Sequence, residues 1–429
     1  MLCVAVPLLA ETLALRVWPM MPANVAGDDA YAYLYLANRL AHGESFALWY
    51  TAGPTGLWAP GYPWWLSLFI RLFGYGHVAI AAANAVLYAA GLGLVWAIGS
   101  RIAGMRAAAV ATVLYGFLPS GIERSLVPLS ENLFDPLALA VVCLCVRRDG
   151  SRLADWVLAA VLLAAGSLTR PAGILLCIAP LLLWRPELTV RRAAAAAAVG
   201  LACLAPWLVR NARAPGVGAS FITTESGFNL LAGNNPNANG GWSGVNLALP
   251  AGLPEARYGS LYTHAAVGWI VTHPMRFAAL IPLKVMNAFD ADTEMLEYWD
   301  QIGQKKNPFG GAYNWIVMVT DQYYALVLGV GLLGIALYER GRLGLPFALV
   351  CAPIVVYFGM PRFHDPVMGL VCLGAGRLLA VRRPASAYGD PGGGVDHVRR
   401  AGRDLSRGGV GAAYGGAPVN PLADVAAGQ

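Results

Sequence analysis

Two adjacent acids, Asp28 and Asp29, stand between the first apolar stretch and a segment with helical spacing. A carboxylate there sits where membrane meets water, at the depth of a lipid phosphate. Ionised, it can take a proton from an incoming hydroxyl or amine. Either acid can equally serve as the N-cap of the helix that follows. Five cations could answer a phosphate: Arg124, Arg170, Arg210, Lys284 and Arg362. Arg grips phosphate with two prongs, whereas Lys acts as a point charge. Each also has an ordinary reading as a snorkelling or loop-solvated side chain. Lys284 stands apart because it interrupts an apolar segment, where a charge costs about 2.5–3.5 kcal/mol on insertion scales. Glu131, beside Asn132 at the start of an apolar block, either caps that helix or orients a site.

Other chemistry-bearing residues are less organised. His264 and His273 are nine apart, which does not put them on one helical face. Cys143 and Cys145 point to different sides of a helix and make a poor metal pair. All seven cysteines fall in apolar blocks, so no disulfide framework is expected. No metal-ligand set emerges, although a divalent ion is compatible with the composition. Gly74-x-Gly76-x-x-Ala79 has the form of a dinucleotide loop, but no strand precedes it.

The elements that must position these residues are membrane helices. Of 429 residues, 57% are hydrophobic and only 13% are charged. Soluble chains carry about 25% charge. A span needs about 20 mainly apolar residues. Such blocks occur near 2–21, 78–99, 106–119, 131–146, 153–169, 171–184, 193–209, 313–337, 343–359 and 365–381, giving an all-α polytopic membrane protein of about 10 spans. The first block lacks a basic start and a small-residue cleavage site, so it reads as a retained span, and the missing cytoplasmic lead points to a start upstream. The net charge of +6 is no nucleic-acid footprint, because the arginines sit at segment ends and not on one face.

Those arginines set the topology. One group of short loops holds Arg101, Arg106, Arg147, Arg148, Arg152, Arg185, Arg191, Arg192, Arg340 and Arg342, while the opposite short loops hold only Arg124, Arg170 and Arg362. By the positive-inside rule the first group is cytoplasmic. Both termini then lie inside the inner or plasma membrane, and the long connections 23–77 and 210–312 lie outside it. Asp29 to His42 has helical spacing, with Tyr33, Leu36, Ala37 and Leu40 on one face. Pro60 to Phe73 is strongly aromatic. Both suit helices in the interface plane, the depth favoured by the clustered Trp49, Tyr50, Trp58, Tyr62, Trp64 and Trp65. The Gly- and Asn-rich region 220–260 predicts loop and short turns. Met275 to Phe289, broken by Pro282 and Lys284, reads as interfacial or re-entrant. Residues 1–381 form the membrane domain, and the Gly-, Arg- and Pro-rich tail 382–429 is expected to be disordered in the cytoplasm.

The segment GDDAYAYLYLANRLAHG followed by APGYPWWLSLFIRLFG resembles the first extracytoplasmic loop of GT-C glycosyltransferases, of the protein O-mannosyltransferase and lipid A aminoarabinose transferase types. Asp29, Tyr33, Ala37, Leu40 and Gly43 fit the family spacing, and Pro60-Gly61-Tyr62-Pro63 follows. Downstream, Ser130-Glu131, Leu168-Thr169-Arg170-Pro171, Pro206-Trp207 with Arg210-Asn211, Gly233-Asn234-Asn235-Pro236, Pro282-Leu283-Lys284 and Arg362-Phe363-His364 match family motifs in order over about residues 1–380. His364 stands where relatives commonly carry Arg. The resemblance implies a GT-C-like fold and sugar transfer from a polyprenyl-phosphate donor to an envelope protein, lipid or glycan, with inversion. It makes Asp29, or Asp28 after it, the base, and the five cations partners of the donor phosphate, with Glu131, Tyr33 and Tyr62 in support. The partners it implies are membrane lipid, the lipid-phosphate sugar and an acceptor, with no nucleic acid. Two rivals stand beside it. A polymerase or ligase using a lipid-diphosphate donor would depend on late-loop Arg and His. A transporter or lipid flippase would show internal repeats and midplane charges.

Overall fold

The computed structural model describes residues 29–292 and 310–380, apart from 52, 126, 246, 248, 250 and 251. The apolar block 2–21, Asp28 and the tail 382–429 lie outside the described residues. Every regular element among the described residues is helical. Two amphipathic helices come first, α1 (Asp29–Ala41) and α2 (Gly61–Phe73). They pack on each other through Tyr33, Ala37, Tyr62, Leu66 and Ile70. The bundle follows with α3 (His77–Ile102), α4 (Gly104–Gly116), the short α5 (Pro119–Arg124), α6 (Glu131–Arg147) and α7 (Leu153–Thr169). After a 3-10 segment (Pro171–Cys177) come α8 (Ile178–Leu183) and α9 (Val190–Arg213). The outer connection carries α10 (Ser226–Ala232), α11 (Glu255–Thr272) and α12 (Pro274–Ala288), and the chain closes with α13 (Tyr313–Tyr338), α14 (Leu345–Val356) and α15 (Asp365–Leu379).

Three helices, α3, α9 and α13, are long and apolar enough to cross a membrane unaided, and α11 with α12 forms a pair bent by 106°. Pro274 at the first turn of α12 sets that bend, since it cannot continue the hydrogen bonding of α11. The sequence reading differs from the structure in three places. The stretch 171–184 opens as a 3-10 segment from Pro171, and 343–359 is shortened to α14 after a five-residue π turn at Arg340–Gly344. The region 220–260 is not all loop. Asparagines make helix α10 possible by closing its last carbonyls: Asn234 Nδ2 donates to Leu230 O at 2.7 Å and Asn235 Nδ2 to Leu231 O at 2.9 Å. Helix α11, which no sequence signal marked, begins within the same region at Glu255.

The arginine-rich loops meet at one end of the bundle. Arg147 donates to Ala97 O at 3.3 Å, the Trp184 indole to Arg148 O at 2.9 Å, and Arg192 to Ser151 O. Asp29, Glu131, Arg170 and Arg362 come together elsewhere, at opposite ends of the same helices: Glu131 opens α6 and Arg147 closes it.

Helix α15 sits in the middle, packed against α3, α4, α6 and α13. Val367, Met368, Val371, Cys372 and Ala375 are fully buried. Small residues allow this crowding, as in membrane interfaces generally. A Cβ on Gly334 would land on the Gly374 backbone, and one on Gly376 would meet the Ala107 carbonyl. Gly334→Val is therefore expected to destabilise the bundle by about 1–3 kcal/mol through overpacking. Gly329→Val on the same helix, where a Cβ meets nothing within 4 Å, should leave stability near wild type. Thermal unfolding of both variants in one detergent checks the difference.

Candidate active site

The site is assembled from four chain segments. Asp29 is the first residue of α1, where an acid is favoured by the helix dipole. Glu131 is the first residue of α6, Arg170 follows the last residue of α7, and Arg362 lies in the turn Pro361–Phe363 before α15. Arg362 Nη2 reaches Asp29 Oδ2 at 2.5 Å, although the two are 333 residues apart in sequence. Its Nε lies 3.8 Å from Glu131 Oε1. Arg170 Nη1 meets the same Glu131 oxygen at 2.5 Å, and Ser130 Oγ donates to the other Glu131 oxygen at 3.0 Å. The Phe363 ring lies beneath both guanidiniums, at 5.2 Å from Arg170 and 5.8 Å from Arg362.

Two acids therefore face two arginines, and the cluster is formally neutral. The members differ in access. The Glu131 side chain is 3% exposed, whereas Asp29 is 30% and Arg170 25% exposed. Glu131 is the internal anchor that fixes both guanidiniums, and Asp29 is the carboxylate presented outward. Removing one partner of such a buried pair leaves an uncompensated charge, at a cost of about 3–5 kcal/mol.

The Pro-Gly-Tyr-Pro and Leu-Thr-Arg-Pro stretches meet here. A Cβ on Gly61 would strike the Thr169 hydroxyl and the Leu168 carbonyl, so only glycine lets α2 start against the end of α7, next to Arg170. Tyr62 donates to Asn84 Oδ1 at 2.8 Å, and Asn84 Nδ2 in turn donates to Ser125 O at 3.0 Å and Val127 O at 3.2 Å, which ties α2 to α3 and to the loop before Glu131. Tyr33 packs edge-on against Trp58 and Tyr62. Both tyrosines hold α1 and α2 in place around the cluster.

The other three cations expected at the phosphate are engaged elsewhere. Arg124 is buried between Asp135 at 2.7 Å and Asp365 at 2.9 Å. Arg210 donates to Thr55 O at 2.6 Å and Phe46 O at 2.9 Å, and stacks on Trp207, which fastens the loop after α1. Lys284, fully buried, donates to Asn234 Oδ1 at 2.8 Å and to the Val355 and Val356 carbonyls. Asp28 lies outside the described residues.

Sequence reasoning passed over Glu225, one residue ahead of α10. Burial first, and the Asp29 carboxylate next, push its carboxyl up to about 8, against the opposing pull of Arg362 and Asn229. At pH 7 it is neutral, and it becomes a second negative group facing Asp29 as pH rises through 8. The signal that could have found it is its place beside the asparagine-rich segment, which is too unspecific to act on.

This is the fold of the GT-C superfamily of membrane glycosyltransferases, a multi-pass membrane architecture. Within that class, residues 58–209 match the family model described as dolichyl-phosphate-mannose-protein mannosyltransferase. The matched stretch includes Gly61, Glu131 and Arg170, while Asp29 and Arg362 lie beyond its ends. The chain is similar to ArnT from Cupriavidus metallidurans bound to undecaprenyl phosphate, at 15% identity and a TM-score of 0.50, covering 89% of this chain and 60% of that one. It is also similar to the Archaeoglobus fulgidus oligosaccharyltransferase in complex with zinc and sulfate, at 14% identity and a TM-score of 0.47, covering 87% and 48%. It thus spans 60% of the length of that ArnT chain. No curated protein matches it in sequence.

The raised Glu225 pKa has a definite consequence for stability. A carboxyl with an ordinary value near 4.5 when unfolded and about 8 when folded binds more proton in the native state between those values. Its contribution to stability is complete below about 4.5 and is lost as pH rises through 8. Glu225→Gln should flatten the fall in unfolding midpoint between pH 5 and pH 8.5 that the wild type shows. An unchanged slope would contradict the assigned shift.

Proposed function

We propose that the protein transfers a glycosyl group from a polyprenyl-phosphate sugar to an envelope acceptor on the extracytoplasmic face, with inversion and with Asp29 as general base. The reading rests on one observation: Asp29 is the outward-facing acid of a charge-balanced cluster that contains two arginines. The arginine-rich loops gather at the other end of the helices, which the positive-inside rule assigns to the cytoplasm. Both termini then belong on the cytoplasmic side. The ArnT chain with this fold is bound to undecaprenyl phosphate, a lipid of the class proposed for the donor.

In the resting arrangement Arg362 neutralises Asp29. An arriving donor phosphate competes for Arg362 and finds Arg170 beside it, so both guanidiniums can bear on the phosphoryl oxygens. Asp29, released from its partner, is left ionised and exposed. It accepts the proton of the acceptor hydroxyl or amine as that atom forms a bond to the anomeric carbon. The bond from that carbon to the phosphate oxygen breaks, and the electron pair leaves with the polyprenyl phosphate, whose charge the arginines stabilise. A phosphate is a good leaving group, so one carboxylate is enough, unlike the paired carboxylates usual in glycoside hydrolysis. Glu131 stays internal and keeps the arginines aligned. Of the late-loop Arg and His on which the lipid-diphosphate rival would depend, Arg210 is occupied in fastening loop carbonyls.

A strain lacking the gene is expected to accumulate a lipid-phosphate sugar, detectable by mass analysis of lipid extracts. Purified wild-type protein should consume that donor, and Asp29→Asn should do so about 10²–10⁴-fold more slowly. Arg170→Ala should lower kcat as well as raise the donor KM, because the guanidinium bears on the phosphate in both bound and leaving states. Equal turnover by Asp29→Asn and wild type would remove Asp29 as base. An unchanged lipid-phosphate pool and unchanged envelope glycans in the deletion strain would remove the reaction class itself.

A further inference from the structure

Behind the Asp29 cluster lies a second group of charged side chains that the transfer step does not use. Asp292 follows α12, His364 ends the turn that carries Arg362, and Asp365 opens α15. All three are buried, and one ligand atom from each lies within 4.8 Å of the others. His364 Nδ1 lies 2.8 Å from Ala288 O. A carbonyl only accepts, so Nδ1 carries the hydrogen and a neutral ring turns its Nε2 lone pair inward. That lone pair faces Asp292 Oδ1 at 3.0 Å and Asp365 Oδ1 at 3.5 Å.

Three acceptor atoms thus converge on one point inside the protein. The outer oxygens of both acids are already held: Ser120 N donates to Asp292 Oδ2 at 3.1 Å, and Arg124 pairs with Asp365 Oδ2 at 2.9 Å. Among the described residues the inner Asp365 oxygen has no hydrogen-bond partner, although its side chain is only 2% exposed. Among the described residues Arg124 pairs with Asp135 and Asp365, and Asp292 faces His364. Tyr324 and Phe289 stack on the imidazole, with centroids at 4.6 and 5.9 Å, and shut out water.

We propose that Asp292, His364 and Asp365 bind a divalent transition-metal ion of the zinc type, through His364 Nε2 and the inner oxygen of each acid. Zinc takes nitrogen and oxygen ligands at about 2.0–2.2 Å in tetrahedral geometry, which sets neighbouring ligand atoms about 3.3 Å apart. The observed 3.0 and 3.5 Å bracket that spacing. The surroundings are those of a metal ligand set: the histidine is oriented by a backbone carbonyl and each acid by a donor on its other oxygen. The ion would join the end of α12, the start of α15 and, through Ser120, the start of α5. Arg362 lies two residues before His364, so the ion is a positioning element for the turn that faces Asp29.

The test uses purified full-length protein in detergent and needs no activity. Elemental analysis after dialysis without chelator should find about one zinc-type ion per chain. Extraction with EDTA should lower the unfolding midpoint by about 5 °C, and added Zn2+ should restore it where Mg2+ does not. Asp365→Asn and His364→Gln should lose the ion, with helical circular dichroism reporting whether each variant is folded. Protein with no stoichiometric ion, and no response to EDTA or Zn2+, would overturn the proposal and leave a proton on Nε2 as the balancing charge. A folded His364→Gln protein that keeps its full metal content would overturn it as well.

Discussion

Inside a low-dielectric bundle, no carboxylate or guanidinium can be left without its opposite, and this constraint organises the end of the molecule where Asp29 lies. Arg362 stands between Asp29 and Glu131, and Arg170 completes the set from the far side of Glu131. Each charge comes from a different segment, so the set closes only when four helix ends arrive in register. The nearby packing serves that register. Gly61 lets α2 meet α7, Tyr62 and Asn84 fix the loop before Glu131, and Ser130 holds the second Glu131 oxygen. Buried ion pairs add little net stability over apolar packing. Here their value is geometric: they hold an exposed acid beside two cations.

The turn at residues 361–364 joins the two charged clusters. Arg362 points from it toward Asp29, and His364 toward Asp292 and Asp365. Arg124 extends the inner cluster to Asp135 on α6, the same helix that begins with Glu131. A substitution in either cluster therefore bears on a helix that the other also uses.

Much of the architecture was legible because membrane helices announce themselves by length and apolarity. Helices α3, α4, α6 to α9 and α13 to α15 fall where apolar blocks were marked, α1 where one-sided spacing was, and α2 where the aromatic stretch was, while the short α5 lies between two marked blocks. Helix α11 was missed because it is polar at its start and carries no long apolar face. The charged residues were legible as candidates and not as partners. Arg124, Arg210 and Lys284 send the same signal in sequence as Arg170 and Arg362, since each is a cation near an apolar segment. What separates them is which oxygen lies opposite, and those oxygens come from residues 46, 55, 135, 234 and 365. Pairings across such separations leave no local trace. Asp292 escaped notice for the same reason.

The central position of α15 bears on how the molecule is made. Chains grow from the amino end, at about 5–20 residues each second, and insert as they grow. The helix that fills the middle nevertheless emerges after α3, α4, α6 and α13, the helices it packs against. Until then the place it fills is bounded by large apolar side chains such as Val95, Leu139 and Tyr324, with Gly331 and Gly334 where its backbone comes closest. Arg362, His364 and Asp365 reach their partners only with that same segment, so Asp29 has no arginine from this turn beside it until α15 has been made.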